Sequence, residues 1–331
     1  MPRIVLATLN ARYIHASLGL RYLLANMGEL ERDTEIAEFI ITQRPIEIAE
    51  ALLAHDPAIV GFGVYIWNVE ETAKVIGLLK AVRPELVIVI GGPEVSYEVD
   101  AQAITKLADY VITGPGDLSF ATLCAEILRG ASPADHLITG ETPALDALAL
   151  PYSRYTEIDL AQRLVYVEAS RGCPFQCEFC LSSLDKTALP FPLDAFLAEM
   201  GKLYARGARH FKFVDRTFNL NVKTSLAILD FFLARMVEGL FVHFEVIPDH
   251  LPDRLKEAIL KFPSGSLQFE VGIQTLAPAV QALISRKQDD AKMEANLRWL
   301  RHESPAHIHA DLIVGLPGED IASFGRGFDR L

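Results

Sequence analysis

The sequence predicts an α/β protein in two parts: an open parallel sheet covered by helices on both faces, then a partial TIM-like β/α barrel. Three observations predict it. Short β-branched runs alternate with amphipathic runs along nearly the whole chain. Glycines collect just after the runs that read as strands. A stretch punctuated by proline and glycine, residues 131–163, keeps no helical or strand period and separates two such series. With 331 residues the chain exceeds one compact core. The expected organisation is a first domain over 1–130, a surface linker over 131–163 pinned by Leu145, Leu148 and Leu150, and a second domain over 164–331.

In the first series the expected strands are 4–7, 59–64, 86–90 and 110–112, with a weaker one at 34–39. Helical spacing covers 18–27, 45–54, 69–82, 100–107 and 118–128. Such alternation means a parallel sheet, whose ligands sit at the C-terminal strand ends near the switch in strand order. Those ends carry Asn10, Tyr13 and His15; Gly63, Tyr65, Trp67 and Asn68; Gly91, Gly92 and Glu94; and Gly114 and Gly116. Glycines there either make tight β–α turns or leave room for a bulky flat ligand. Four glycine-bearing ends on one sheet edge favour the ligand.

The chain has 4 cysteines, and three of them crowd into one loop. Cys173, Cys177 and Cys180 stand in a C-x3-C-x2-C spacing just after the strand 164–169. A structural zinc takes four protein ligands, and ferredoxin-type clusters also call for a fourth cysteine. Three thiolates on one loop leave one iron of a 4Fe–4S cluster open. Cys124, alone in a helical stretch, reads as a small buried apolar residue. Further strands follow at 210–214, 242–246, 267–273 and 308–314, with helices such as 224–236, 253–260 and 290–302. Polar residues cluster at the strand ends, where a barrel of this kind places its reaction site: Asp215, Glu245, Glu270, Gln274 and the turn from Gly315 through Pro317 to Glu319.

The cysteine loop, with Arg171-Gly172 before it and Phe175 and Phe179 inside it, resembles that of the radical S-adenosylmethionine enzymes. The turns Gly91-Gly92-Pro93-Glu94 and Gly114-Pro115-Gly116-Asp117 resemble those of the cobalamin-binding domain that precedes many of these enzymes. The resemblance implies a Rossmann-like, flavodoxin-like cobalamin-binding domain and a radical S-adenosylmethionine barrel. It places the 4Fe–4S cluster on Cys173, Cys177 and Cys180. It places S-adenosylmethionine near Phe179, Asp215, Glu245, Glu270, Gln274, Gly315 and Pro317, although each carboxylate taken singly also reads as an ion-paired barrel-end residue. Cobalamin falls to Asn10, Tyr13, His15, Gly63, Tyr65, Trp67, Asn68, Gly91, Gly92, Glu94, Gly114 and Gly116. The Asp-x-His-x-x-Gly pattern that puts histidine on cobalt is incomplete around His15. That residue either ligates the metal or hydrogen-bonds a corrin amide or a backbone carbonyl.

The implied activity is formation of a 5′-deoxyadenosyl radical followed by methyl transfer to an unactivated carbon or phosphorus centre of a small-molecule or natural-product substrate. A flavodoxin- or ferredoxin-type protein would donate the electron. Two alternatives stand beside it. One is a different radical outcome (rearrangement, ring contraction or oxidation) over a first domain that serves as scaffold. The other is a non-catalytic cobalamin sensor, which the cysteine trio opposes. The family's barrel is a TIM-like (β/α)6 barrel and five units are found, so the sequence reads as truncated after the fifth, in the helix that follows its strand. The net charge of -12 opposes binding to phosphate backbones, so no nucleic-acid partner is expected. No apolar run reaches the ~20 residues of a membrane span, and the N-terminus leads directly into a strand rather than a signal peptide, which together imply a cytoplasmic protein.

Overall fold

The computed structural model describes residues 3–184 and 186–331, and the chain divides into two compact units between Leu164 and Val165. In the first unit six parallel strands lie in the order β2-β1-β3-β4-β5-β6. They are β1 (Ile4–Asn10), β2 (Thr34–Ile40), β3 (Ile59–Gly63), β4 (Val87–Gly91), β5 (Tyr110–Thr113) and β6 (Leu137–Thr139). Helices α2 (Pro45–Ala54) and α3 (Val69–Val82) bury Ile48, Leu52, Val75 and Leu79 against Val5, Val60 and Ile88. On the opposite face, α1 (Leu18–Ala25) and α4 (Ser119–Leu128) bury Leu20, Phe120, Leu123 and Cys124 against Ile4, Leu6 and Val89. Because both faces are covered, the central strands are continuously apolar, the pattern of a buried parallel sheet. The order reverses between β1 and β3, and sheets of this kind bind ligands in the crevice outside the strand ends at such a switch point.

Two stretches differ from the sequence-based expectation. Residues 100–107 form two short 3-10 turns rather than one helix, Val99–Ala101 and Ala103–Lys106. Thr105 Oγ1 bonds back to the carbonyls of Val99 and Gln102, and this local bonding competes with the helical ladder. The stretch 131–163 groups with the first unit and carries β6 and α5 (Glu157–Gln162). A three-residue strand is too short to show alternation. The α5 signal is a capping box, in which Thr156 and Asp159 cap each other's backbone N–H. Leu145 and Leu148 are buried in this stretch and Leu150 is half-buried.

The second unit opens with β7 (Val165–Val167) and a small antiparallel pair, β8 (Ser170–Arg171) with β9 (Leu189–Pro190). Then β10 (His210–Phe213), β11 (Phe241–Val246), β12 (Leu267–Gln274) and β13 (His307–Leu312) extend β7 into a parallel sheet of five strands in chain order. Helices α6 (Leu193–Ala205), α7 (Val222–Leu233), α8 (Asp253–Ile259), α9 (Pro278–Leu283), α10 (Asp290–Glu303) and α11 (Ile321–Arg330) connect or follow them. Here the two faces differ. Along β12, Leu267, Phe269, Val271 and Ile273 are buried, while Gln268, Glu270, Gly272 and Gln274 are half-buried. The apolar face is a layer of phenylalanines. Phe213 packs on Phe196, Phe218, Phe232 and Phe244 at ring-centre distances of 5.8, 5.8, 6.1 and 4.5 Å. The polar face carries the groups that can do chemistry. Among the described residues, no helix is long and apolar enough to cross a membrane.

Candidate functional site

One cavity of about 280 Å³ lies at the C-terminal strand ends of the second unit. Cys173, Cys177 and Cys180 line it together with Phe179, Glu245, Glu270 and Gln274. The cysteine loop is fixed at both ends of the trio. Gly172 (φ 88°) turns it out of β8, and Cys180 N–H closes a turn on Cys177 O at 3.0 Å. Glu178 anchors it to the end of α9, since its N–H donates to Ile284 O at 3.1 Å and its carboxylate accepts from Ser285 Oγ at 2.6 Å. Burial pushes the Cys173 thiol up, aided by the neighbouring cysteines and opposed by the Phe175 N–H and Arg216. Among the described residues, no three His, Cys, Asp or Glu side chains converge as one metal ion would require. Three thiols spread around one cavity suit a polynuclear cluster, with each thiolate on its own iron.

The strand ends supply paired charges. Arg216 Nη1 reaches both oxygens of Glu245, at 3.2 and 3.1 Å. Burial raises the Glu245 carboxyl even so, Arg216 pulling it down and Glu270 adding to the rise. Glu270 stands 3.3 Å from Lys212 Nζ and 3.0 Å from His243 Nε2, the latter without hydrogen-bond geometry. Burial and the Lys212 ammonium hold His243 down to about 4, so it is neutral near pH 7. Gln274 takes a left-handed φ of 70° where β12 bulges against β13, and this turns its amide towards the Gly272 backbone. A Cβ on Gly272 would collide with that amide.

Three of the residues assigned to S-adenosylmethionine from the sequence are placed elsewhere. Asp215 is buried and does not line the cavity. Its carboxylate accepts the Ala169 N–H at 3.1 and 2.9 Å and the Ser170 hydroxyl at 2.7 Å, so it fixes the strand end that leads into the cysteine loop. Gly315 and Pro317 form a turn after β13 that is not among the lining residues. Sequence reasoning missed Arg286. Its Nη1 lies 3.8 Å from Cys177 Sγ and its Nη2 donates to Gly272 O at 2.5 Å, so it ties the cysteine loop to β12. No local pattern marks it, because its partners are remote in sequence.

In the first unit the loops after β1 and β3 flank the switch point. They expose an apolar lip: Tyr13, Ile14, Ile66 (77%) and Trp67 (48%) face solvent. Soluble surfaces rarely leave such residues grouped without a ligand or partner. Tyr65 stacks on Trp67 with ring centres 4.5 Å apart. Asn68 and Asn10, in contrast, are buried and committed within the protein. Asn68 Nδ2 contacts Thr8 Oγ1, Leu9 O and Gly63 O, while its Oδ1 accepts from Tyr65 N. Asn10 Nδ2 donates to His15 O at 3.0 Å and contacts Glu38 Oε1 at 3.2 Å. His15 is half-buried, and its backbone bridges to Leu164. Gly92 (φ 117°) lets the turn after β4 close on β3, since a Cβ there would stand 2.5 Å from Val64 O. Ser96 Oγ then joins that turn to the next, bonding Gly92 O at 2.8 Å and Gly114 N at 3.0 Å. Gly63 and Gly91 are register partners, Gly116 packs near Leu23, and Glu94 accepts from Gln102.

Residues 4–124 match the B12 binding domain, and residues 167–330 match the radical SAM superfamily. The chain belongs to the cobalamin-binding radical S-adenosylmethionine enzymes. Its cofactors are cobalamin, S-adenosylmethionine and a 4Fe–4S cluster. An uncharacterized methyltransferase of Pyrococcus horikoshii is 26% identical over 329 residues, covering 91% of this chain and 70% of that protein. The ribosomal protein uS12 methylthiotransferase of Pelobacter propionicus is 26% identical over 172 residues, or 48% of this chain and 37% of the relative. Thus this radical S-adenosylmethionine enzyme spans 70% of the length of the first of these relatives and 37% of the second. The solved structure of the radical S-adenosylmethionine methyltransferase TsrM from Kitasatospora setae shares the fold, with a TM-score of 0.74 at 17% identity, covering 99% of this chain and 70% of TsrM. TsrM has been seen with cobalamin and a [4Fe-4S] cluster, and with tryptophan and a S-adenosylmethionine analogue.

Proposed function

We propose that this protein methylates a small-molecule substrate, with Cys173, Cys177 and Cys180 holding the cluster and the first unit holding cobalamin. The observation that carries the reading is the cysteine trio around one cavity, in a chain that also has an apolar lip at the switch point of a B12-binding sheet. When bound, the cluster supplies the electron that cleaves S-adenosylmethionine and cobalamin supplies a transferable methyl group. The chain's own part is binding and orientation. Phe179 gives the cavity an apolar wall, Glu245 and Glu270 give it negative charge at the strand ends, and Gln274 adds an amide donor and acceptor. Arg216 keeps Glu245 from standing unpaired, and Lys212 does the same for Glu270.

A small-molecule substrate fits the tryptophan seen with TsrM and the modest cavity volume. The electron donor is a flavodoxin- or ferredoxin-type protein and the compartment is the cytoplasm. The methyl acceptor is an unactivated carbon or phosphorus centre. Anaerobic reconstitution tests the reading. The protein is expected to take up one cobalamin and about four irons per chain. It should also pass label from the S-adenosylmethionine methyl group to a product. Cluster uptake without cobalamin would instead favour a radical enzyme whose first unit is a scaffold.

A further inference from the structure

The loop after β1, residues 11–17, leaves the sheet at the switch point, and a single carboxylate organises it. Glu38 on β2 is buried, with a side chain only 6% exposed. Its Oε1 accepts the Ser17 N–H at 2.5 Å and lies 3.2 Å from Asn10 Nδ2, which in turn holds His15 O. Its Oε2 meets Arg21 at 2.9 Å and Arg163 at 2.8 Å. Asp159 completes a quartet, 2.8 Å from Arg21 and 3.4 Å from Arg163. Arg163 also covers the ring of Tyr13 at 4.6 Å, the Tyr13 hydroxyl donates to Gln162 at 2.8 Å, and Leu164 N–H donates to Ile14 O at 2.8 Å. The loop is therefore gripped at Tyr13, Ile14, His15 and Ser17, either by Glu38 itself or by the segment its quartet fixes.

Two positive and two negative side chains in one buried cluster are costly to assemble and costlier to unbalance. Burial alone would lower the Arg21 guanidinium, yet Glu38 and Asp159 keep it raised and firmly charged. A loop held rigid before a large flat ligand arrives spares that ligand the cost of ordering it.

We propose that Glu38 is a positioning residue for cobalamin, holding the 11–17 loop in its binding form through Asn10, Ser17 and Arg163. This rests on the reading that cobalamin occupies the switch-point crevice. The test uses the whole chain with Glu38→Gln, and separately Arg163→Met. In the protein free of cobalamin, tryptic cleavage after the exposed Arg12 is expected to speed up several-fold. Hydroxocobalamin should bind at least ~10-fold more weakly, as when only a tenth of the molecules keep the competent loop. Iron per chain after reconstitution should stay at the wild-type level, since the cysteines lie in the other unit. Unchanged cleavage and unchanged affinity in Arg163→Met would overturn the proposal, even if Glu38→Gln proved too unstable to purify. Wild-type protein that binds the cluster and no cobalamin would overturn the crevice reading itself, a different failure.

Discussion

Asp215 and Ala169 are joined twice, the single N–H of Ala169 being shared between both carboxylate oxygens at 3.1 and 2.9 Å. Burial drives the Asp215 carboxyl up to about 7 despite these bonds and the one from Ser170. The folded form thus binds a proton more tightly than the unfolded chain. Its contribution is complete below about pH 4 and is lost as pH rises through 7. Between pH 5 and pH 8 the wild type should lose ~2 kcal/mol from this residue, and Asp215→Asn should not. Thermal melting of both proteins across that range checks it. Parallel curves would show that the hydrogen bonds keep the group ionised throughout.

Changing Cys173, Cys177 or Cys180 to Ala is each expected to abolish cluster assembly, because one thiolate holds one iron. Cys124→Ala should leave iron unchanged. That thiol is fully buried in the first unit, and burial pushes it up to about 12. Iron and sulfide analysis after anaerobic reconstitution reads both outcomes.

Arg286→Met removes the link between Cys177 Sγ and Gly272 O while keeping the aliphatic stem. The cluster should still assemble, and the cysteine-bearing unit should lose about 1–3 kcal/mol, the cost of an orphaned charge-assisted bond. Denaturant unfolding followed alongside iron content would show it. A variant as stable as the wild type would mean that the loop is held without Arg286.

Gly92→Ala forces a Cβ against the Val64 backbone at a φ of 117°. Strain and clash together should cost about 2 kcal/mol or more. Cobalamin uptake should fall with the first unit's stability, while iron content holds. His15→Ala, in contrast, should weaken cobalamin only modestly if cobalt has no protein ligand, and the visible spectrum should stay the same. A changed spectrum would make His15 the axial ligand.

The strands were largely legible because both sheets are parallel and at least one face of each is apolar. Ile59, Val60 and Phe62, or Phe211 and Phe213, announce themselves by composition. The cysteine loop was legible because its chemistry is local. What the sequence hid was long-range pairing. Glu38 reads as an ordinary charge on a weak strand until Arg163, 125 residues later, is seen beside it. Asn10 and Asn68 lie at strand ends where ligand contacts are expected, yet their amides are spent on neighbouring backbone. The 3-10 turns at 99–106 escaped because apolar spacing does not distinguish them from a helix over so short a span.

The alternation along β12 has a consequence for how faithfully the site is built. Its odd residues are buried, Phe269 beside Phe244, and of its even residues Glu270, Gly272 and Gln274 line the cavity. A slip of one residue against β11 would drive Glu270 and Gln274 into that aromatic layer and turn Phe269 and Val271 towards the cysteines. The oily side of the sheet thereby acts as a proofreader for the reactive side. Any misregistered chain pays its penalty in the core, well before chemistry could reveal the error.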